Sequence, residues 1–239
     1  MLSSTPAQYA LILLNLAGEH GVSSEQLLAG STLAMEGLTG MGARVSDADF
    51  GVLVRNAQRL INDPALGLRL GQRLNLSAHA VLGQAFMTCA NLAEVMQLFQ
   101  RYYHLLAPDL VLSFTHDNGH MTLESVNTEA DLPETFALEM ITAAMRNTLA
   151  GLLGRQDLPL RFEFPYAAPA HLASYHEVPG DDLAFGTAAA RWSFPLGLLQ
   201  APLPSSNPAL RELYESECVR LLADLEDSAD LSAHPSTAA

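Results

Sequence analysis

Lysine is absent from all 239 residues: the twelve basic residues are arginines, set against 26 aspartates and glutamates for a formal net charge of −14. Affinity for nucleic acid rests largely on clustered cations that release counterions from phosphates. A chain with this balance has no basic stripe for duplex contact. Cysteine is almost as scarce. Cys89 and Cys218 lie far apart, each inside an apolar helical pattern, which favours reduced core thiols over a disulfide framework or a metal knuckle. No segment reaches the roughly 20 apolar residues that span a bilayer. No basic residue precedes Arg44, and the apolar start is interrupted by Asn15 and Glu19, so the pattern of a signal peptide is missing. The expectation is a cytoplasmic protein with no membrane partner.

Familiar catalytic signatures are missing too. There is no G-x-S-x-G elbow, Walker loop, H-E-x-x-H or glycine-rich dinucleotide fingerprint, which lowers the expectation of a common hydrolase or nucleotide enzyme. No internal repeat or low-complexity block occurs, and no cofactor is implied. What is abundant is apolar surface. With 49% hydrophobic residues, a chain of this length can bury a sizeable core.

The first half reads as helices with legible ends. Thr5-Pro6-Ala7-Gln8 offers a capping hydroxyl and a proline at the first helical position, with Gly18 and Gly21 closing the helix. Ser46 opens a second helix whose apolar side is Phe50, Leu53, Val54, Ala57, Leu60 and Ile61. Asn91 caps a third, with Leu92, Val95, Met96, Phe99, Tyr103 and Leu106 at three- and four-residue spacing. After Pro108 the period becomes two. Leu112, Phe114 and His116 alternate with Ser113, Thr115 and Asp117, and Asn118-Gly119 is a strong hairpin signal that pairs His116 with Met121 and Phe114 with Leu123.

Helix returns over 131–153, opened by Asp131, with strands near 159–164, 182–186 and 190–194 and a short helix after Pro169. Asn207-Pro208 opens a last helix. Its Leu210, Leu213, Tyr214, Leu221 and Leu225 serve either self-association or packing against a further domain, or else docking on the chain's own core. The fold class is α+β, a helical amino-terminal half followed by an antiparallel sheet with helices on one side. We expect one unit over 1–227, helical over 5–106 and mixed over 107–227, then a linker or tail over 228–239.

Candidate binding chemistry sits at polar interruptions of apolar elements. Thr135, Glu139, Thr142 and Arg146 form a line at four-, three- and four-residue intervals on the 131–153 helix. It reads either as a solvated face or as a pocket lining in which Arg146 meets an acid group and Glu139 an amine. Tyr103, Tyr175 and Trp192 are candidate aromatic walls, although such residues more often serve the core and Trp192 reads as core first; His171 and Tyr175 share one face of the short helix. His116 and His120 fall on opposite hairpin faces, and His171 and His176 are separated around a helix, so no metal site is expected.

Several stretches together carry a resemblance. They are Ile61-Asn62-Asp63-Pro64-Ala65-Leu66-Gly67-Leu68-Arg69-Leu70-Gly71, Leu82-Gly83-Gln84-Ala85-Phe86, Asn91-Leu92-Ala93-Glu94-Val95 and Phe99-Gln100-Arg101-Tyr102-Tyr103. Further on come Arg161-Phe162-Glu163-Phe164-Pro165, Pro169-Ala170-His171, Phe185-Gly186, Arg191-Trp192-Ser193-Phe194 and Pro202-Leu203-Pro204. In this order the chain resembles the amino-terminal regulatory domain of the bacterial AraC/XylS transcription regulators, in the branch named after arabinose binding.

The resemblance implies a small-molecule effector that biases an attached pair of helix-turn-helix motifs, which in the family occupy about a hundred residues after such a domain. This sequence ends before them. DNA is therefore expected as a partner only through that region, with a homodimer and RNA polymerase as further candidate partners of the longer protein. Two other readings stand beside it. One is a small-molecule hydrolase or isomerase using Glu139, Arg146 and a tyrosine as acid, anchor and base; the other is a dimerisation module that binds no ligand.

Residues 1–239 alone should show no sequence-specific binding to duplex DNA at physiological salt, because carboxylates outnumber arginines 26 to 12 and few cations are left to displace counterions. A gel-shift experiment checks this. A specific shifted band formed by this chain alone would contradict the charge argument.

Overall fold

The computed structural model describes residues 4–39, 42–127, 132–177 and 182–233. The chain begins with β1 (Ser4–Pro6) and α1 (Ala7–Glu19), followed by α2 (Ser24–Leu28), β2 (Arg44–Ser46) and α3 (Asp47–Ile61). β1 pairs antiparallel with β2, Thr5 opposite Val45. That pairing overrides the expected cap: Pro6 is the N-cap residue of α1 without a side-chain bond, and the Thr5 hydroxyl donates instead to the Leu106 carbonyl at 3.3 Å. The cap of α3 forms as its sequence implies. Ser46 Oγ accepts from the Asp49 amide at 3.1 Å, and the helix stops at Asn62 in the left-handed region, φ 54°, which asparagine tolerates better than most residues.

The helical half continues with α4 (Leu66–Arg73), α5 (Ala80–Met87) and α6 (Leu92–Tyr102). Asn91 Oδ1 accepts from the Glu94 amide at 3.0 Å at the start of α6, and a 3₁₀ turn, Tyr103–Leu105, carries the chain out of it. β3 (Val111–Asp117) and β4 (His120–Asn127) then form a hairpin in the expected register, Phe114 opposite Leu123 and His116 opposite Met121. Asn118 and Gly119 both have positive φ, 48° and 78°, the geometry of the two-residue turn whose twist matches the strands.

The remaining elements are α7 (Glu134–Leu153), β5 (Arg161–Phe164), α8 (Leu172–Glu177), β6 (Leu183–Phe185), β7 (Arg191–Pro195) and α9 (Pro208–Ala233). Asp131, the expected opener of α7, lies outside the described residues, and Pro133 is the N-cap residue. The sheet order is β3-β4-β7-β5-β6. All its pairs are antiparallel except β5 with β6, which run parallel with Phe162 opposite Leu183. The sheet is thus antiparallel as expected except at this one edge. Pro165–Asp182, which contains α8, is a connection long enough for the crossover that parallel neighbours need.

Alternation gives the sheet two unlike faces. Phe114, Leu123, Trp192 and Phe162 stand opposite one another across four strands and, apart from the half-buried Phe114, are buried. On the other face Thr122 and Ser193 hydroxyls meet at 2.9 Å, and Arg191 reaches both Glu124 and Glu163. Charge on one face leaves only the other to carry helices.

α7 crosses that apolar face and serves two cores at once. Leu138, Ala143, Leu149 and Leu152 pack in the core that includes the sheet, whereas Phe136, Met140 and Ala144 pack with α1 and α3. Its partner on the helical side is α4, where Gly67 and Gly71 lie one turn apart on one face. A Cβ on Gly71 would stand 2.4 Å from the Met140 carbonyl and 2.7 Å from Ala143 Cβ. The helices touch backbone to backbone there.

α9 partly docks on the chain's own core. Tyr214, Leu221 and Leu225 pack against it and Cys218 is buried, while Leu210 and Leu213 are exposed. The helix runs through Ala233, into the stretch that composition reads as a linker.

Gly71→Ala should destabilise the fold by about 1–3 kcal/mol, since backbone rather than a flexible side chain must yield. Gly18→Ala should act in the opposite direction, adding about 0.4–1 kcal/mol, because Gly18 is in the last turn of α1 with nothing within 4 Å of its would-be Cβ. Urea unfolding of the two variants measures both signs.

Candidate functional site

Between the two cores lies an apolar cavity of about 210 Å³. α7 supplies one wall with Leu138, Ile141, Met145 and Leu149. Opposite stand Met96, Phe99 and Tyr103 at the end of α6, and the sheet closes the far side with Leu123 and Phe194. The Phe99 and Tyr103 rings lie 5.5 Å apart, and each lies 6.2 Å from Phe114. Aromatic walls of this kind keep their shape, whereas Met96 and Met145 can re-pack around different guests.

Among the polar groups of the lining, three are joined to one another. The Tyr9 hydroxyl lies 2.8 Å from His79 Nδ1, and Thr148 Oγ1 lies 2.9 Å from His79 Nε2. All three residues border the cavity and are buried. Burial without a countercharge pushes the His79 pKa down to about 4, so the ring is neutral at cellular pH. Ala80, the next residue, has φ 50°, a conformation that costs a residue with a Cβ about 1–3 kcal/mol. The carboxylates at the cavity border belong to the half-exposed Asp47 and the exposed Asp109.

A second polar cluster lies elsewhere on α7. Glu139, only 1% exposed, accepts at Oε1 from the Tyr175 hydroxyl at 2.6 Å and lies 2.6 Å from His171 Nε2. Since the Tyr175 proton goes to Glu139, its oxygen accepts from Tyr166 at 3.0 Å. Desolvation raises the Glu139 pKa against the lowering effect of both neighbours. Three residues further along, Thr142 Oγ1 accepts from Trp192 Nε1 at 2.8 Å. Arg146 points elsewhere: its guanidinium donates to Gln156 Oε1 and the Gln156 carbonyl, both at 3.0 Å, in an exposed setting.

The line on α7 is thus neither one solvated face nor one pocket wall. Glu139 and Thr142 are buried, bonded respectively to α8 and β7, and Arg146 is tied to the surface. Of the six candidate contact residues, Tyr103 borders the cavity, whereas Glu139, Thr142, Arg146, Tyr175 and Trp192 do not. Glu139 and Arg146 have different partners, so the acid–anchor–base set of the enzyme reading is not assembled. Tyr9, His79 and Thr148 escape sequence reasoning, because they come together across sequence separations of 70 and 69 residues. The shared face of His171 and Tyr175 was the usable signal, and it leads to Glu139.

A carboxyl whose pKa is raised on folding binds its proton more tightly in the folded state, so its contribution to stability falls as pH rises from the unfolded value, about 4.3, through the folded one. Glu139→Gln keeps an acceptor and removes the charge. Unfolding free energies of the variant and wild type should therefore diverge in favour of Gln as pH rises from about 4 to 7. A pH-independent difference would mean that the Glu139 carboxyl is no harder to ionise in the fold than in the open chain.

The comparisons with known proteins agree with this architecture. A family model described as the arabinose-binding domain of AraC transcription regulators, amino-terminal, matches residues 21–203. The chain is 36% identical over 222 residues to the ornithine utilization regulator of Pseudomonas aeruginosa, an alignment covering 92% of this chain and 66% of that protein. It is 28% identical over 224 residues to an uncharacterized HTH-type transcriptional regulator of Mycobacterium tuberculosis, covering 89% and 64%. The chain spans about two thirds of the length of these relatives. The crystal structure of the transcriptional regulator CdpR from Pseudomonas aeruginosa superposes with a TM-score of 0.62 at 18% identity, over 86% of this chain and 61% of that one; this likeness concerns the fold alone. With the family model spanning most of its length, the chain belongs to the arabinose-binding, amino-terminal domains of the AraC transcription regulators.

Proposed function

We propose that this domain senses a small-molecule effector in the cavity beneath α7 and so controls an attached DNA-binding region of a cytoplasmic regulator. The cavity itself carries the reading. It is bordered by residues of both cores and by the helix they share, so filling it alters packing on both sides of α7. A ligand shifts a conformational equilibrium only through differential contacts with the two states, and a cavity between two packed units is a place where such differences arise. Ligand-free dimerisation accounts for no such space.

In this reading Tyr103 touches the effector, while Glu139, Thr142, Tyr175 and Trp192 hold α7 against α8 and the sheet. Arg146 lies outside the binding region. DNA contact, a homodimer and RNA polymerase belong to the longer protein, where the helix-turn-helix region would do the reading of sequence.

A thermal-shift screen of metabolites against residues 1–239 tests the proposal. An effector at a hundredfold excess over its Kd adds about 2.7 kcal/mol, a rise in Tm of roughly 5–10 °C for a chain of this size. Met145→Trp, which fills the cavity, should abolish the response, and Arg146→Ala should leave it intact. A library in which no compound raises the Tm of the wild type, or a hit undiminished by Met145→Trp, counts against sensing at this cavity.

A further inference from the structure

The arrangement of Tyr9, His79 and Thr148 narrows the chemistry of the effector, on the reading that the cavity is the sensing site. A neutral imidazole has one nitrogen that donates and one that accepts. One of the two hydroxyls bonded to the ring must therefore give it a proton, and the other must accept one. If Tyr9 donates to Nδ1, its oxygen stays free to accept while the Thr148 hydroxyl keeps a proton to give. In the other tautomer the two roles exchange. Either way the trio offers one donor and one acceptor, and no net charge.

Charged ligands fare badly in the same space. Among the described residues no arginine borders the cavity, and lysine is absent from the chain, so a carboxylate or phosphate would be desolvated without a cation in the lining to meet it. The carboxylates of Asp47 and Asp109 at the border repel anions further. Size adds a bound. An apolar cavity of about 150 Å³ takes benzene, which scales the 210 Å³ here to a ligand of roughly eight non-hydrogen atoms.

We infer that the effector is a small, mainly apolar and uncharged molecule, of the medium-chain alcohol or primary amide class, whose single polar head both gives and accepts a hydrogen bond at Tyr9, His79 and Thr148. Such a head completes the free valences of the two hydroxyls, and the alkyl part fills the space between Met96, Phe99, Met145 and Leu149. The neutral state of His79 fits this, because a protonated ring would donate to both hydroxyls and set a buried positive charge beside an uncharged head. Zwitterionic amino acids and sugars are outside the class. The former bring unpaired charge, and the latter bring more hydroxyls than the cavity can satisfy.

Calorimetric titration and thermal shift of the full 239-residue chain with 1-alkanols from butanol to decanol, octanamide, octanoate, L-ornithine, L-arabinose and toluene provide the test. Alkanol affinity should rise roughly fourfold per methylene until the cavity is full and then level off. Octanamide should follow octanol, and octanoate should bind at least tenfold more weakly. Tyr9→Phe and Thr148→Val should each weaken octanol several-fold and leave toluene, which has no polar head, unchanged; Met145→Trp should abolish both. A flat chain-length series, or octanol binding indifferent to both hydroxyl variants, overturns the inference. So does loss of toluene in step with octanol, which would mark the hydroxyls as merely structural. Binding of ornithine or arabinose without the alkanols overturns the chemical class and leaves the sensing role standing. If the series and the metabolite library both fail, the two readings fall together.

Discussion

The contact of α4 with α7 at Gly67 and Gly71 is the constraint from which the rest of the architecture follows. Two helices whose backbones touch cannot slide or tilt without collision, and Gly67 also leaves no room beside Glu139, whose Oε2 would lie 2.7 Å from an added Cβ. α7 is thereby fixed along its axis. Because it is fixed, its opposite faces can serve different cores, and residues three and four apart can be committed to different partners: Glu139 to α8, Thr142 to β7, Leu149 to the cavity. A helix with more freedom would need more apolar surface on each side to achieve the same placement.

The polar groups buried with α7 show which effects win there. A carboxylate taken out of water loses several kcal/mol of hydration, and hydrogen bonds to a charged group return about 1.5–3 kcal/mol each. Tyr175 and His171 do not cover the difference, since the Glu139 pKa stays raised by desolvation. The cluster is retained at an energetic cost, and its geometric effect is to join the middle of α7 to α8 beside the sheet. The Tyr9, His79 and Thr148 set balances differently. All three are neutral and the two bonds to the ring have ordinary lengths, so burial costs less than for a charged group, and the group joins α1 to α7 across the segment before α5.

Local chemistry was the legible part of this sequence. Ser46, Asn91 and Asn207 cap the helices they precede because a short side-chain acceptor next to an apolar periodic run has few other uses, and Asn118-Gly119 fixes the hairpin register because both residues accept positive φ. The illegible part depended on distance along the chain. Thr5 looked like a cap until a strand pairing with Val45 claimed its backbone, and the parallel pairing of β5 with β6 is set by an intervening segment whose path leaves no local mark. Glu139, Thr142 and Arg146 share one helical line, yet their fates differ because what lies across from each is contributed by Tyr175, Trp192 and Gln156. The cavity was least legible of all, since its lining is indistinguishable, residue by residue, from core.

The position of the cavity bears on how a signal could leave this domain. α9 docks beside α5 and α6 through Tyr214, Cys218 and Leu221, and the same two helices line the cavity on another side, with Phe86 from α5 and Met96 and Phe99 from α6. Packed interiors respond to an added guest by discrete rearrangement rather than smooth deformation, because few voids exist to absorb a shift. A ligand that displaces Phe99 or Met96 would bear on Phe114 of the sheet and on α5 and α6, the helices that seat α9; the outer face of the sheet is held by the Glu124, Arg191 and Glu163 ladder. α7 is held by its glycine contacts with α4 and the sheet by its strand pairing, so α5 and α6 are the elements that join the cavity to α9. The exposed Leu210 and Leu213 ride on that same helix, so any displacement of α9 changes the apolar surface that the domain presents to a neighbour.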